Sequence, residues 1–205
     1  MSVEIEAKFL VTGHSTYDRI RAFSQIGGYS LLEGHMENVL DVYMDTAARA
    51  LLSAGYACRR REREGALLIT VKSLAPSRND VHRREELEVT ILRDAAPDAW
   101  PDSAAREKVL GLIGQSPLEE LFRLSQSRFV RHVVEGDRRV ASASLDEVSV
   151  GVGSAMRQWH ELEVELAPTG SEADLAAISD WLRTTLGLHP ATGSKFERAL
   201  EIAGR

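Results

Sequence analysis

Several features that mark particular protein classes are scarce or missing in this sequence. Its 205 residues contain one cysteine, Cys58, which excludes an internal disulfide framework and agrees with a reducing compartment. No apolar run approaches the roughly 20 residues that span a bilayer, and the N-terminus lacks the basic and then apolar pattern of a secretory signal. We therefore expect a soluble, cytoplasmic protein that does not insert into membranes.

Basic residues are fewer than acidic ones, 25 against 31, and the sequence has no glycine-rich phosphate-binding loop. The formal net charge of −6 argues against a nucleic-acid-binding surface, although it allows a local basic cavity. The segment GVGSAM at 151–156 resembles part of a dinucleotide fingerprint, but it lies between two predicted strands, so we predict a hairpin turn there. With 43% hydrophobic residues, the chain is predicted to form one domain, residues 1–205.

The stretch VEIEAKFLV at residues 3–11 carries a charge at every second position. Side chains alternate across a strand, so in a strand Glu4, Glu6 and Lys8 share one face. Val3, Ile5, Ala7 and Phe9 then form an apolar face on the other side. In a helix the same charges would be scattered, because residues two apart do not share a helical face. The pattern therefore predicts a strand.

Period-two and helical patterns divide the rest of the chain. Further strands are predicted at 38–45, 56–63, 66–73, 83–93, 126–134, 138–150 and 158–166, with a hairpin at Glu64-Gly65 and turns at 75–80 and 94–104. Helices are predicted from Ser15 to Gly27, within 46–55, at 105–114, 117–124 and 171–187, and in part at 194–204. Many strands with helices grouped between them indicate an α+β domain dominated by antiparallel sheet.

The alternation of charge seen in the first strand recurs in at least four others. The charged or polar faces are formed by Arg59 and Arg61; Thr70 and Lys72; Arg84, Glu86 and Glu88; Glu161, Glu163 and Glu165; and Arg128, to which Arg138 and Asp146 can add. Like charges in each pair lie about 7 Å apart along a strand and repel unless a cation separates them. Arginine is suited to bidentate contact with phosphate. An open sheet with one solvated face would look similar, but the apolar outer faces favour a barrel with a charged lumen and helices outside.

An ordered set of these strands resembles the CYTH superfamily, the triphosphate tunnel metalloenzymes. The resemblance runs from residue 3 to about 200 and rests on Glu4-x-Glu6-x-Lys8, YMDT (43–46), CRRR, TVK, RREELE, SR (127–128), ELEVE and SKFERAL. It implies an eight-stranded antiparallel β-barrel tunnel that binds a triphosphate and Mg²⁺ or Mn²⁺. Two positions depart from the family pattern: Gln126 stands where relatives often have a base, and Cys58 where an aliphatic residue is usual.

The resemblance also implies roles for individual residues. The phosphate-binding bases would be Lys8, Arg59, Arg61, Lys72, Arg84, Arg128 and Lys195. The metal-holding carboxylates would be Glu4, Glu6, Glu86, Glu88, Glu163 and Glu165, with Glu4, Glu6 and Lys8 as the catalytic residues. In-line attack of water on the terminal phosphorus needs no covalent intermediate. Packing roles are predicted for Trp100, Trp159 and Trp181, and no catalytic role for Cys58, Ser144 or the histidines.

The leading functional prediction is metal-dependent hydrolysis of inorganic triphosphate, because the recognisable sequence features, the alternating bases and carboxylates, suit phosphate and metal. A thiamine triphosphatase, an adenylate cyclase of the same family and a non-catalytic polyphosphate- or nucleotide-binding module stay open as alternatives. The expected partner is a small-molecule triphosphate, with neither nucleic acid nor membrane. Family members of this shape also occur fused to CHAD domains, so this chain is either free-standing or part of such a fusion. The sequence leaves the oligomeric state open.

Overall fold

The computed structural model describes residues 2–63, 65–74, 81–191 and 193–204. Within them, eleven strands lie in one antiparallel sheet. The strands are β1 (Ser2–Val11), β2 (Gln25–Ile26), β3 (Tyr29–Leu31), β4 (His35–Asp45), β5 (Tyr56–Arg63), β6 (Ala66–Ser73), β7 (Val81–Ile91), β8 (Glu119–Glu135), β9 (Arg138–Val152), β10 (Ala155–Leu166) and β11 (His189–Pro190). The helices are α1 (His14–Ala22), α2 (Ala50–Ser53), α3 (Ala104–Ile113), α4 (Glu172–Leu186) and α5 (Lys195–Ala203), with a 3₁₀ turn at Pro97–Ala99.

Eight of these strands close into a barrel. Their order around the ring is β8, β4, β5, β6, β7, β1, β10, β9, and β9 pairs back with β8. The short strands β2 and β3 extend the sheet beside β8, and β11 pairs with β1. The predicted fold, an α+β protein built on an eight-stranded antiparallel barrel with helices outside, is confirmed.

The helices cover the apolar outer faces of the strands. Helices α1 and α4 pack on β1, β9 and β10, where Phe9, Leu162 and Val164 meet Ile20 and Ile178. Helices α2 and α3 cover the outer faces of β5, β6 and β7 in a second cluster. Because apolar and charged residues alternate along each strand, covering the apolar set outside leaves the charged set facing the lumen.

Helix α5 packs against the apolar end of the barrel interior. Its Phe196 stacks on Phe122, with ring centroids 5.7 Å apart, and lies 5.1 Å from the ring of Tyr43. Trp159 and Val148 belong to the same buried cluster. Tyr43 and Trp159 have the inward strand parity of Asp41 and Glu161, so this cluster closes one end of the barrel and confines the charged residues beyond it.

One predicted helix is wrong. The pattern at residues 117–124 predicts a helix, whereas Glu119 begins β8, a strand of 17 residues. A bulge explains the misleading pattern: Tyr43 pairs with Phe122 and Met44 with Glu120, which leaves Leu121 as the extra residue. Leu121 and Phe122 are therefore both buried, and two adjacent apolar residues imitate a helical stripe.

Helix boundaries and one ion pair also differ from expectation. Helix α1 begins at His14 after Gly13, whose φ of 81° suits glycine, so Ser15 is not its cap.

Arg138 does not reach the lumen, because its guanidinium binds Asp174 and Glu135 at the outer end of β9. The hairpin at Gly65 joins β5 and β6 as predicted, while Glu64 and the turn at 75–80 lie outside the described residues.

Asp174 fastens the first turn of α4 to the sheet. It completes the predicted capping box with Ser171, and Gly187 ends the helix in the left-handed conformation. Its two carboxylate oxygens also accept hydrogen bonds from Arg138 at 2.8 and 2.9 Å, and one accepts a third from Tyr29 at 2.9 Å. A single side chain thus joins α4 to both β9 and β3.

We expect Asp174→Ala to lower the free energy of unfolding by about 2 kcal/mol, because it removes charge-assisted hydrogen bonds and a helix cap together. Urea unfolding followed by circular dichroism measures this change. Asp180→Ala is the matched control: it lies on the same helix, and its exposed carboxylate pairs with Arg183 one turn along, so its loss should stay within about 0.5 kcal/mol. Equal losses in the two variants would contradict the role of Asp174.

The loss of stability caused by Asp174→Ala should depend on pH. Hydrogen bonds from Arg138 hold the pKa of Asp174 below its ordinary value. A carboxyl with a depressed pKa stabilises the fold fully above its unfolded pKa of about 3.9 and loses that contribution as the pH falls through the folded pKa. The difference between wild type and Asp174→Ala should therefore narrow as the pH falls below about 4.

Candidate active site

The barrel encloses a cavity of about 310 Å³. The structure brings all thirteen sequence-predicted site residues to its wall: Glu4, Glu6, Lys8, Arg59, Arg61, Lys72, Arg84, Glu86, Glu88, Arg128, Glu163, Glu165 and Lys195. Tyr43, Leu68 and Ser194 complete the lining. Strand parity therefore predicted twelve of these side chains and the family resemblance predicted Lys195, which lies on α5; their individual roles stay predictions.

The register between β1 and β10 places charges directly opposite one another. Lys8 pairs across the strands with Glu163, and its Nζ lies 2.8 Å from Glu163 Oε1. Two residues along, Glu6 faces Glu165, so two like charges are opposed in the next pair. The first cross-strand pair thus joins opposite charges and the second joins like charges, although Lys8 Nζ also lies 3.1 Å from Glu6 Oε1.

Glu163 is the meeting point of three bases. Besides Lys8, it contacts Lys195 Nζ at 2.8 Å and Arg128 Nη2 at 3.0 Å. Burial raises its pKa, but the charges of Lys195, Lys8 and Arg128 together hold that pKa well below the ordinary value. Glu163 is therefore an ionised acid whose charge is already balanced by protein groups.

The neighbouring carboxylates differ in how far bases compensate their charge. Burial, and then the charge of Glu6, raise the pKa of Glu4 to about 7, although Lys72 contacts Glu4. Burial raises the pKa of Glu165, and Glu6 and Glu86 raise it further. Burial also opposes ionisation of Glu6, but Lys8 and Lys72 outweigh it and lower the pKa of Glu6 to about 2. Among these carboxylates, burial and neighbouring acids thus oppose the ionisation of Glu4 and Glu165, whereas Glu6 is held ionised by two lysines.

Two buried aspartates near the cavity were not identified as site residues from the sequence. Asp41 on β4 is 0% exposed and binds Arg61 through two hydrogen bonds of 2.7 Å. Asp146 on β9, noted in the sequence only as a further charge, is also 0% exposed and contacts Arg128 at 2.9 Å and Lys195 at 2.7 Å. Neither aspartate has another acid two residues away on its strand, so no Glu-x-Glu type of repeat marks it.

Glu161 shares the strand face of the predicted Glu163 and Glu165 but lies deeper. It is 1% exposed, accepts a 2.6 Å hydrogen bond from Trp159 Nε1 and lies 3.8 Å from Lys195 Nζ. Burial raises its pKa. Glu161 lies beyond the sixteen residues of the cavity wall, so the charged alternation on β10 extends past the cavity into the apolar end of the barrel.

The two departures from the family pattern have different surroundings. Gln126 is 3% exposed, and its amide donates a 2.6 Å hydrogen bond to Asp41. Cys58 lies outside the lumen in the cluster under α2 and α3. Burial raises the pKa of its thiol to about 12, which fits the prediction that it is not a nucleophile.

The tryptophans lie away from the cavity wall. Trp100, in the loop before α3, is buried in the cluster that α3 covers; Trp159 packs with α5, and Trp181 lies edge-on to Phe23. These positions agree with the predicted packing roles.

Within the described residues, no helix is both long and apolar enough to cross a bilayer.

A comparison of the whole sequence with models of protein families gives a match to the CYTH domain over residues 2–200. The chain belongs to the CYTH domain family. Against curated protein sequences, the comparison finds no match.

Solved structures resemble this CYTH domain along most of its length. A Hippeastrum protein, HpAC1, described as an adenylyl cyclase candidate with a dominant triphosphatase activity, is 21% identical, covers 97% of this chain and 95% of its own, and has a TM-score of 0.71. An adenylate cyclase candidate from Bacillus halodurans is 21% identical over 97% and 98%, with a TM-score of 0.67. The Mimivirus capping enzyme triphosphatase is 12% identical over 90% and 89%, with a TM-score of 0.52. At these identities the likeness shows the fold.

The donor set of this CYTH domain suits a hard divalent cation. Among the described residues, no three His, Cys, Asp or Glu side chains already form a ligand cluster. Mg²⁺, however, is usually held by one or two carboxylates, with waters and substrate phosphate completing its shell. Glu4, Glu6, Glu86 and Glu165 are carboxylates that would suit such a cation, although Glu6 lies 3.1 Å from Lys8 and Glu86 lies 3.7 Å from Arg59. Glu163 is engaged by three bases.

The same substitution at Glu163 and at Glu165 should change the free energy of unfolding in opposite directions. Without ligand, Glu163→Gln should lower the free energy of unfolding by about 3 kcal/mol, because three buried bases lose their common partner. Glu165→Gln should raise it by up to about 1 kcal/mol, because it removes a carboxylate opposite Glu6.

Chemical denaturation in the presence of a chelator, without phosphate, measures both variants. They are matched to each other, since they make the same substitution on the same face of β10, two residues apart. A destabilisation of similar size in both would show that the charges are not divided as described.

Proposed function

We propose that this CYTH domain is a metal-dependent triphosphatase that hydrolyses inorganic triphosphate in the barrel lumen. The composition of the cavity wall carries the proposal: thirteen of its sixteen lining residues are Glu, Lys or Arg. A lumen of about 310 Å³ with such a wall suits a compact polyanion and its counterions. The solved relatives described as triphosphatases agree with this reaction class.

The bases of the wall would bind the phosphate groups. Arg59, Arg61 and Arg128 present planar donors suited to phosphate oxygens, while Lys8, Lys72 and Lys195 act as point charges. Lys8 and Lys195 are buried and the other four are half-buried, which reduces solvent screening, so each contact with a developing negative charge is stronger than at a surface. In the reaction these bases would stabilise charge on the equatorial and leaving oxygens of the terminal phosphoryl group.

The carboxylates would bind the divalent cation and orient water. Glu4 and Glu6 on β1, with Glu86 and Glu165 on the neighbouring strands, are the residues that would hold Mg²⁺ or Mn²⁺. A bound cation would supply charge neutralisation at the phosphate oxygens and increase the acidity of coordinated water. Glu88 accepts a hydrogen bond from Thr70 at 3.1 Å, which fixes the orientation of its carboxylate at the wall.

The character of the wall favours inorganic triphosphate over substrates that carry a ring. Among the described residues that line the cavity, Tyr43 is the single aromatic one, and its ring already packs against Phe122 and Phe196. Recognition of an adenine or a thiazolium ring would call for a stacking surface that these contacts do not leave at Tyr43. A pure binding module would need the bases more than six neighbouring carboxylates.

We expect phosphate release from tripolyphosphate to exceed that from ATP and thiamine triphosphate at least tenfold in kcat/KM. Colorimetric phosphate assays with each substrate, in Mg²⁺ and in Mn²⁺, measure this ratio, and a chelator should abolish turnover. Faster turnover of thiamine triphosphate, or formation of cyclic AMP from ATP, would replace this proposal with one of the alternatives. Binding without turnover under every condition would favour the binding module.

Removing a predicted metal ligand should separate catalysis from folding. Glu4→Gln and Glu6→Gln should each lower kcat at least 100-fold, in the range seen when an electrostatic group that acts in the transition state is removed. Glu62→Gln, on β5 but outside this cavity wall, is the matched control and should retain wild-type kcat. Unchanged turnover in Glu4→Gln with an intact circular dichroism spectrum would refute the metal role of Glu4.

Ligand binding should also stabilise the fold. Tripolyphosphate at 100 times its Kd should add about 2.7 kcal/mol to the free energy of unfolding, because it binds the folded state alone. Thermal unfolding at increasing tripolyphosphate concentration measures this effect, with equal ionic strength from sodium chloride as the control. A melting temperature that stays constant at saturating ligand would contradict a phosphate site in the folded barrel.

A further inference from the structure

Asp41 holds the guanidinium of Arg61 by one edge. Arg61 Nε donates to Oδ1 and Arg61 Nη2 donates to Oδ2, each at 2.7 Å, and Arg59 Nη1 lies 3.5 Å from the same Oδ2. A guanidinium has five N–H groups, so a bidentate contact along one edge leaves the Nη1 edge able to bind an oxyanion. Both arginines line the cavity, whereas Asp41 is 0% exposed and lies behind them.

Gln126 in turn holds Asp41. Its Nε2 donates a 2.6 Å hydrogen bond to Asp41 Oδ2, the oxygen that also accepts from Arg61. Gln126 Oε1 is buried and makes no hydrogen bond with the described residues. Leaving a buried acceptor unpaired costs free energy. The amide accepts this cost because its orientation points Nε2 at Asp41, so the hydrogen bond to Asp41 determines which way the amide faces. A base at position 126 would instead compete with Arg61 for Asp41.

The carboxylate that these groups share remains ionised in its buried position. Burial raises the pKa of Asp41, but the charges of Arg59 and Arg61 bring it below its ordinary value. A fixed, charged acceptor restricts the rotamers of two long side chains before any ligand arrives, and so lowers the entropy cost of binding. Asp41 has no path to the ligand itself, since its exposed fraction is 0%.

We propose that Asp41 and Gln126 are positioning residues, which hold Arg59 and Arg61 in the orientation that receives the phosphate chain. This inference rests on the proposed function and deepens it, because it assigns substrate affinity to two side chains that do not touch the substrate. It also gives Gln126 a role as a neutral donor at a position where relatives often have a base.

The first test is Asp41→Asn. Wild type and variant are compared for the KM and kcat of tripolyphosphate hydrolysis and for the Mn²⁺ concentration that gives half-maximal rate. We expect KM to rise about tenfold or more while kcat falls less, as for a lost binding interaction, and the Mn²⁺ requirement to stay within about twofold. Gln126→Met, which keeps the volume and removes the donor, should raise KM by about two- to fivefold.

Coupling between the two residues is the second expectation. If Gln126 acts through Asp41, the double variant should have the KM of Asp41→Asn rather than the product of the two effects. A merely structural role for either residue would not produce this result. Gln126→Met also keeps the proposal testable if Asp41→Asn fails to fold.

Asp45→Asn is the matched control. Asp45 is a buried aspartate on the same strand, but its carboxylate accepts hydrogen bonds from the backbone amides of Thr46, Leu51 and Leu52. It should lower the melting temperature and leave KM unchanged. A rise in KM of similar size in Asp45→Asn would show that the effect follows from stability, and would overturn the proposal.

Two further outcomes separate this inference from the proposed function. The Kd of tripolyphosphate, measured by calorimetry in a chelator, reports how tightly the arginines bind phosphate when no turnover occurs. If wild type binds but does not hydrolyse, the proposed hydrolase fails, and a weaker Kd in Asp41→Asn still supports the positioning role. If wild type hydrolyses but Kd and KM are unchanged in Asp41→Asn, or the Mn²⁺ requirement alone shifts, the positioning role fails and the hydrolase stands.

Discussion

Strand alternation in a closed ring is the constraint on which this structure depends. Each strand of the barrel must turn every second side chain inward, and helices cover the apolar side chains on much of the outer surface. Much of the inward set is therefore charged, and, although Glu88 and Glu165 stay exposed, closure of the ring limits the contact of most of those charges with bulk water. They have to be balanced by one another or by what the cavity binds.

The protein achieves this balance unevenly. Asp41, Asp146 and Glu163 each accept at least two bases, which makes these acids internal counterions. Where β1, β7 and β10 meet, carboxylates face carboxylates, and the pKa values of Glu4 and Glu165 are raised. The wall thus combines acids that hold bases in place with acids whose ionisation is opposed by burial and by neighbouring carboxylates. These are different tasks performed by chemically similar side chains.

Sequence periodicity predicted the barrel and twelve of the thirteen wall residues, because it depends on chain-local geometry, whereas Lys195 lies on helix α5 and was predicted from the family resemblance alone. It failed at 117–124, where the bulge at Leu121 disturbs the alternation, and at Arg138, which has the right parity but lies beyond the lumen. It also could not separate Glu163 from Glu165. Their sequence surroundings are alike, and the distinction comes from which residue of β1 the register places opposite each one.

Charge also constrains how a polyanion can enter. The seven bases of the wall are matched against its six glutamates, with Asp41, Asp146 and Glu161 behind them, so the ionised site carries no positive excess. A triphosphate arriving alone would meet bases already paired with acids and carboxylates that repel it. A divalent cation bound near Glu4 and Glu6 changes this balance, because it satisfies the carboxylates and releases Lys72, which contacts both, to bind phosphate. In the proposed function, cation and substrate therefore bind with positive coupling, and the acids of the wall are what produces it.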